Sequence, residues 1–435
     1  MKKILAILLV VVLMLSLVAC GGDSNTNTEP EKKPESSDNN TPAAPSNSGG
    51  NALADDEENA QPIDNTATGE IGMYNPDYDY AANKTYKVCY YVLTTGVLYE
   101  AFGDAFAHWC SVANMEYGGL IDAGGNKDQY LSNLTTLAGQ YDGILIDPDA
   151  EQYTRCAEIL NETTCAWMGC MAAARDYTKE GSPLLHPYCG FDNVLVGEMM
   201  VPELMKIKNE LWPDVDDSEF GFITVDFSVS PPLHERATGC YNALTALDPS
   251  WADRYYVADC SISTFDVDTS NTVVSAVLAE HSDIEYWLVF AEIDDMAQGA
   301  AAAFDTIGLT DTAAVVTFGG TGLQLQWDAG QQDAWREACY LPQTIYAEPI
   351  IFALYAYMNG DITPEDIWPE WVDAHDGGYA KRLLPAFWIT YENYQHVIRW
   401  SDIYAGSDYY PAYPSDGITR DDFSTKVNIP ASYAA

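Results

Sequence analysis

The stretch Gln140-Tyr141-Asp142-Gly143-Ile144-Leu145-Ile146-Asp147-Pro148 decides how the rest of the chain is read. Asp142-Gly143 is a turn pair and Ile144 to Ile146 a short apolar strand. Pro148 and Asp149 stop that strand and open a helix carrying Tyr153 and Ile159. Upstream, Tyr86 to Leu93 is a β-rich apolar run that ends in Thr94-Thr95-Gly96. Leu98 to Val112 has helical spacing, with Leu98, Phe102, Ala105, Phe106 and Trp109 on one side. Tyr117 to Ile121 reads as a strand, Asp128 to Gln140 as a helix, and Thr164 to Met168 as another strand. This alternation predicts an α/β fold with a mostly parallel sheet covered on both faces.

The rhythm then repeats. Phe220 to Val225, Tyr255 to Ala258, Tyr286 to Ala291 and Ala313 to Phe318 read as strands. Leu233 to Leu247, Thr269 to Glu280 and the alanine-rich Met296 to Ile307 read as the helices between them. Two such series, in a body of roughly 350 residues from about Lys84, imply two similar lobes. In open α/β sheets a ligand sits beyond the carboxyl ends of the strands, so two facing sheets place it in the cleft between them.

The N-terminus begins with Lys2 and Lys3, followed by an apolar run from Ile4 to Leu17 and then Val18-Ala19-Cys20. A basic start, a short apolar core and small residues before a cleavage point mark a secretory signal, residues 1–19. The run is short for a spanning helix, which needs about 20 apolar residues. Leu17-Val18-Ala19-Cys20 resembles the bacterial lipobox, which implies a lipid on Cys20 and anchoring at the outer face of the cytoplasmic membrane. Residues 20–83 read as a disordered tether. From Gly21 to Glu70, Leu53 and Ile63 are the only large aliphatic side chains, too few to offset chain entropy.

A formal charge of −45 argues against nucleic acid or anionic lipid surfaces as partners. Ten cysteines include Cys20 and form no CxxC pair, which disfavours a zinc ribbon or a thioredoxin-like site. Cys89, Cys165 and Cys170 sit in apolar stretches and read as reduced core residues, with any disulfide pairing left open. There is no GxSxG elbow, HExxH pair or P-loop. His234, His281 and His375 adjoin acids in sequence, but neighbours diverge on helix and strand alike. The chain is therefore read as no enzyme, with no catalytic residue, metal or cofactor.

Ordered motifs carry a family resemblance. Asp142 to Pro148 resembles a "DGII-x-P" strand end, and Asp192-Asn193 with Gly197 a "DN-x-x-x-G" segment. Ile293-Asp294-Asp295-Met296-Ala297-Gln298-Gly299-Ala300 resembles an "ND-x-MA-x-GA" helix start. Arg236 with Gly239, and Ile389-Thr390-Tyr391-Glu392-Asn393, add weaker matches. The set resembles the type I periplasmic sugar-binding proteins, the ribose- and galactose-binding group. The resemblance implies two Rossmann-like lobes with parallel sheets, joined by a three-segment hinge. Lobe one is expected at 84–189 plus 320–380, lobe two at 190–319 plus 381–400, and a C-terminal extension at 401–435 that packs back on a lobe. Asp192-Asn193 and Gly319-Gly320 are the expected crossings. The implied role is a monomeric solute-binding lipoprotein that passes a sugar or related small molecule to an ABC permease. The alternative is a receptor of the same fold that signals to a membrane kinase or chemoreceptor.

By the same resemblance Arg236 supplies forked donors to the ligand and Asp294 an acceptor, with Tyr99, Trp167 and Phe227 as ring platforms. Read without it, Arg236 is a helix-surface arginine and Asp294 a helix cap. Three family contacts are replaced, by Ile293, Gly319 and Gly169. The cleft is thus expected to suit a less hydroxylated or more aromatic ligand, or a larger sugar held by residues such as Trp327 and Tyr340.

Overall fold

The computed structural model describes residues 74–179, 181–372, 377–384, 386–404 and 409–415. The signal segment, Cys20 and most of the expected tether lie outside the described residues, and so does most of the C-terminal extension.

Lobe one begins with β1 (Lys87–Val92), α1 (Val97–Val112), β2 (Glu116–Asp122), α2 (Lys127–Ala138), β3 (Gly143–Asp147), α3 (Tyr153–Asn161), β4 (Ala166–Gly169) and β5 (Tyr188–Gly190). Strand β1 shows why these runs are strands. Alternate side chains point to opposite faces, and helices cover both, so nearly every position is apolar. Tyr90 meets Phe106 of α1 edge-on, while Tyr91 stacks on Tyr130 of α2 with centroids 4.2 Å apart.

The chain then enters lobe two through α4 (Asn193–Leu211), β6 (Phe220–Asp226), α5 (Pro231–Leu247), β7 (Tyr255–Asp259), α6 (Val267–Glu280) and β8 (Tyr286–Ala291). It continues through α7 (Asp294–Ile307), β9 (Ala313–Gly319), α8 (Thr321–Asp328) and β10 (Trp335–Tyr340). Helix α9 (Gln343–Met358) returns to lobe one, where Tyr346 meets Phe102 and Phe352 meets Trp109. Strand β11 (Lys381–Leu383) completes the first sheet, and β12 (Phe387–Ile389) with α10 (Tyr394–Tyr404) completes lobe two.

The sheets are β11-β5-β4-β3-β1-β2 and β12-β10-β9-β8-β6-β7. All pairings are parallel except β10 with β12. Two mostly parallel sheets, linked by three passages of the chain, are the expected α/β architecture.

The lobe boundaries differ from the expected ones. The first passage is at Phe191-Asp192, one residue before the expected Asp192-Asn193, because Asn193 already opens α4. The second falls after β10, at Leu341-Pro342, because β10 pairs with β9 in the second sheet. Gly319-Gly320 is therefore no crossing but the β9–α8 junction inside lobe two, and residues 320–340 move to lobe two. The third passage follows β11, which pairs with β5 and places 381–383 in lobe one.

The ordered body also starts before Lys84. Tyr80 is buried against Phe352 and Tyr355 of α9, and Tyr74 against Trp109 and Phe352. These rings supply the burial that the preceding polar stretch lacks. At the other end, the extension packs on both lobes. Tyr409 Oη donates to the Asp104 carbonyl of α1 at 2.6 Å, while Tyr413 Oη donates to Asp328 Oδ2 of α8 at 2.6 Å.

All nine cysteines of the described residues are free and buried, as the apolar setting of Cys89, Cys165 and Cys170 suggests. Among the described residues no helix is long and apolar enough to cross a membrane.

The motif glycines have a packing reason. A Cβ on Gly197 of α4 would strike the carbonyl of Arg236, and one on Gly239 of α5 the carbonyl of Val194. The two helices touch backbone to backbone there, and that close approach fixes where Arg236 emerges.

Candidate ligand-binding cleft

The carboxyl ends of β3, β6 and β8 carry Asp147, Asp226 and, one residue on, Glu292. Arg236 lies beside Glu292. Its Nε donates to Asn193 Oδ1 at 2.9 Å and its Nη1 to the Glu292 carbonyl at 2.5 Å. The guanidinium lies against an edge-to-face pair of rings, 5.0 Å from the centroid of Phe191 at the first passage and 5.0 Å from that of Phe318 at the end of β9, the two rings being 4.7 Å apart. Arg236 is thus no helix-surface residue: it is buried and held on three sides. Burial pulls its guanidinium down to about 10, opposed by the negative charge of Glu292, so it stays a cation at neutral pH.

Glu292 is fully buried. Its Oε2 accepts from the Phe227 amide at 3.1 Å. Burial raises its carboxyl well above the ordinary range, and the charge of Asp226 adds to this while Arg236 opposes it. Asp226 Oδ2 pairs with Nδ1 of His234 at 2.8 Å. The sequence neighbours Glu235 and His234 do diverge as expected. Glu235 pairs instead with Arg175 of lobe one, an ion pair that joins the lobes.

On the lobe-one side Tyr99 begins α1 and stands beside Asp147. Burial raises Asp147 to about 8, although the hydroxyls of Tyr99 and Tyr153 beside it favour the charged form. The charge of Arg236 also acts on Tyr99, so a group of lobe two bears on one of lobe one. Phe227 lies just past β6, partly open, against Phe265.

Asp294 is held differently from the expectation. Its Oδ1 accepts from Gly320 N at 2.7 Å and its Oδ2 from Gly322 N at 2.8 Å, so it caps α8 rather than its own helix. Burial raises it to about 6, and these amide bonds oppose the rise. This explains the departure at Gly319. Its φ is 139°, and a Cβ there would lie 2.8 Å from Asp294 Oδ1. Three expected aromatics leave the cleft altogether. Trp167 is 1% exposed beneath α3, donates to Asn161 Oδ1 at 3.1 Å and lies on His186. Trp327 is buried against Tyr394, and Tyr340 is buried beside Gln343. Each faces a covering helix, where a strand or helix rich in aromatics finds its core.

A second concavity, about 510 Å³, lies between α2 and α3 and is lined by Leu131, Thr135, Ile159 and Arg155 among others. It is on the outer face of lobe one, away from the strand ends, and no buried unpaired polar group lines it.

Solved structures share this arrangement. The Caulobacter myo-inositol binding protein, bound to myo-inositol, is similar with a TM-score of 0.55 and 18% identity, over 72% of this chain and 95% of its own. The periplasmic ribose ABC transporter protein of Conexibacter woesei is similar with a TM-score of 0.56 and 12% identity, over 74% and 98%. The fold is that of the type I periplasmic sugar-binding proteins. A galactofuranose binding protein shares it too, with a TM-score of 0.55 and 14% identity, over 74% and 99%. No protein-family model and no curated protein matches the chain.

Within the type I fold, Asp147, Asp226 and Glu292 are candidate site residues that sequence reasoning missed, and Asn193, expected as a hinge residue, also holds Arg236. A signal was present. Each acid follows an apolar strand directly, at the end where this fold class gathers ligand groups.

Proposed function

We propose that the chain is an extracytoplasmic solute-binding lipoprotein, anchored through lipid on Cys20, that captures a small sugar or sugar-like compound between its lobes for an ABC permease. The type I fold supports this reading, since a myo-inositol binding protein and a galactofuranose binding protein share it. The observation that carries it is Arg236. A cation resting against the Phe191–Phe318 ring pair, with two of its nitrogens fixed by Asn193 and Glu292, is a preorganised fork with Nη2 left for a ligand. Tyr99 and Phe227 would contact the ligand from the two lobes, and Asp294 would act at one remove by holding α8. Passages at Phe191-Asp192, at Leu341-Pro342 and after β11 would serve as the hinge, which absorbs closure in a few residues.

A thermal-shift screen of the folded body against sugars, nucleosides and related metabolites tests the reading. Bound ligand stabilises the native state by mass action, so a true ligand raises the melting temperature. A broad library without a single stabilising compound would count against a solute receptor.

A further inference from the structure

Three carboxyl groups at the strand ends each keep an oxygen that no described residue satisfies: Asp147 Oδ2, Asp226 Oδ1 and Glu292 Oε1. Their residues are only 6%, 2% and 0% exposed. A buried acceptor without a donor is costly, and a buried charge without a countercharge costs more. Arg236 offsets Glu292 in part, and Asp226 has His234 beside it. Asp147 has no such help: burial and the Tyr99 and Tyr153 hydroxyls are what act on it, with no lysine or arginine among them.

What surrounds Asp147 is phenolic. Tyr90 of β1, Tyr99 of α1, Tyr130 of α2, Tyr153 of α3 and Tyr346 of α9 all sense its charge. Two of these hydroxyls are already used. Tyr130 donates to the Tyr91 carbonyl at 3.0 Å, and Tyr346 donates to the Cys170 carbonyl. The hydroxyls of Tyr90 and Tyr153 have no partner among the described residues. Burial keeps this carboxyl protonated below about 8 while nothing charged faces it, and a neutral hydroxyl would leave it so. An ammonium group favours the carboxylate, whose proton passes to solvent, and it both donates to that carboxylate and lies against ring faces. A chain with net charge −45 also draws cations toward its clefts.

We propose that the captured compound carries a protonated amine, and that Asp147 receives it within this ring of tyrosines. The ligand class is then an amine-bearing, sugar-sized compound such as an amino sugar, not a neutral sugar. This rests on the receptor reading above and narrows it.

The test compares matched compounds: D-glucosamine with D-glucose and N-acetyl-D-glucosamine, D-galactosamine with D-galactose, and every stabilising compound of the broad screen with its counterpart lacking the amine. The expected result is binding at least about tenfold tighter for the amine member, with that preference lost in Asp147→Asn. Circular dichroism checks that this near-isosteric variant is folded. Tighter or equal binding of the neutral counterparts, or a preference that survives in Asp147→Asn, overturns the inference and leaves the receptor reading standing. A screen in which neither class binds overturns both.

Discussion

Arg236 Nε donates to Asn193 Oδ1 at 2.9 Å, tying the middle of α5 to the first residue of α4 directly after the chain passes between lobes. In the proposed receptor this contact would link the ligand fork to the hinge, so that movement at Phe191-Asp192 would shift Asn193 and, through it, the guanidinium.

Replacing Asn193 by Ala should leave Nε buried and unpaired. The expected cost is about 1–3 kcal/mol in unfolding free energy, as for other buried donors that lose their acceptor. Ligand affinity should fall with it. Chemical denaturation, alongside titration with a hit from the screen, checks both.

Gly197→Ala should be worse for folding than its size suggests. The added methyl meets the Arg236 carbonyl, which belongs to helix backbone and has no rotamer to escape into. A loss of about 2 kcal/mol or more is expected from such overpacking, read as a lower denaturation midpoint. A Gly124→Ala control is not equivalent, because that position is in open space with a φ of 66°.

Much of this was legible in the sequence, and the limits have physical reasons. The apolar runs of β1, β3, β6, β8 and β9 are long enough, and fully enough buried on both faces, to show as strands. Tyr188–Gly190 and Lys381–Leu383 span three residues each, too few for any period. Gly319-Gly320 reads as a hinge because paired glycines suggest freedom. The structure uses them for room, so that Asp294 can accept from the α8 amides. Trp167 reads as a platform because it is aromatic near a strand end, yet the strand turns it outward under α3. Asp147 is visible in the opening stretch, but its lack of a countercharge depends on which distant tyrosines surround it, which no local pattern encodes.

The pH dependence of stability should carry the signature of Asp147. Its folded value of about 8 lies far above the unfolded carboxyl range, so between those values the native state holds a proton that the unfolded chain has released. Stability from this group is therefore present at low pH and is lost as pH rises toward 8. Asp147→Asn should remove that loss, gaining on the wild type by on the order of 1 kcal/mol per pH unit between pH 5 and 7. Urea denaturation at several pH values measures it, and parallel curves for the two proteins would contradict the assignment.

The C-terminal segment should couple the lobes. Tyr413 Oη donates to Asp328 and accepts from Gln324 Nε2 at 2.9 Å, while Tyr409 reaches Asp104 on the other lobe. Tyr409→Phe combined with Tyr413→Phe should cost about 1.5–4.5 kcal/mol, a typical value for three net hydrogen bonds. Hydrogen exchange should quicken at the facing ends of α1 and α8. Unchanged protection in both helices would show that the segment spans the lobes without holding them.

Titration calorimetry of the strongest hit against wild type and Arg236→Lys tests the central claim most directly. Lys keeps the charge but loses the fork, so the fold should survive while affinity drops on the order of 100-fold, as for loss of a buried charged contact. One site per chain with that loss is the predicted result. Equal affinity in the two proteins, with both folded, would contradict a cleft built around Arg236.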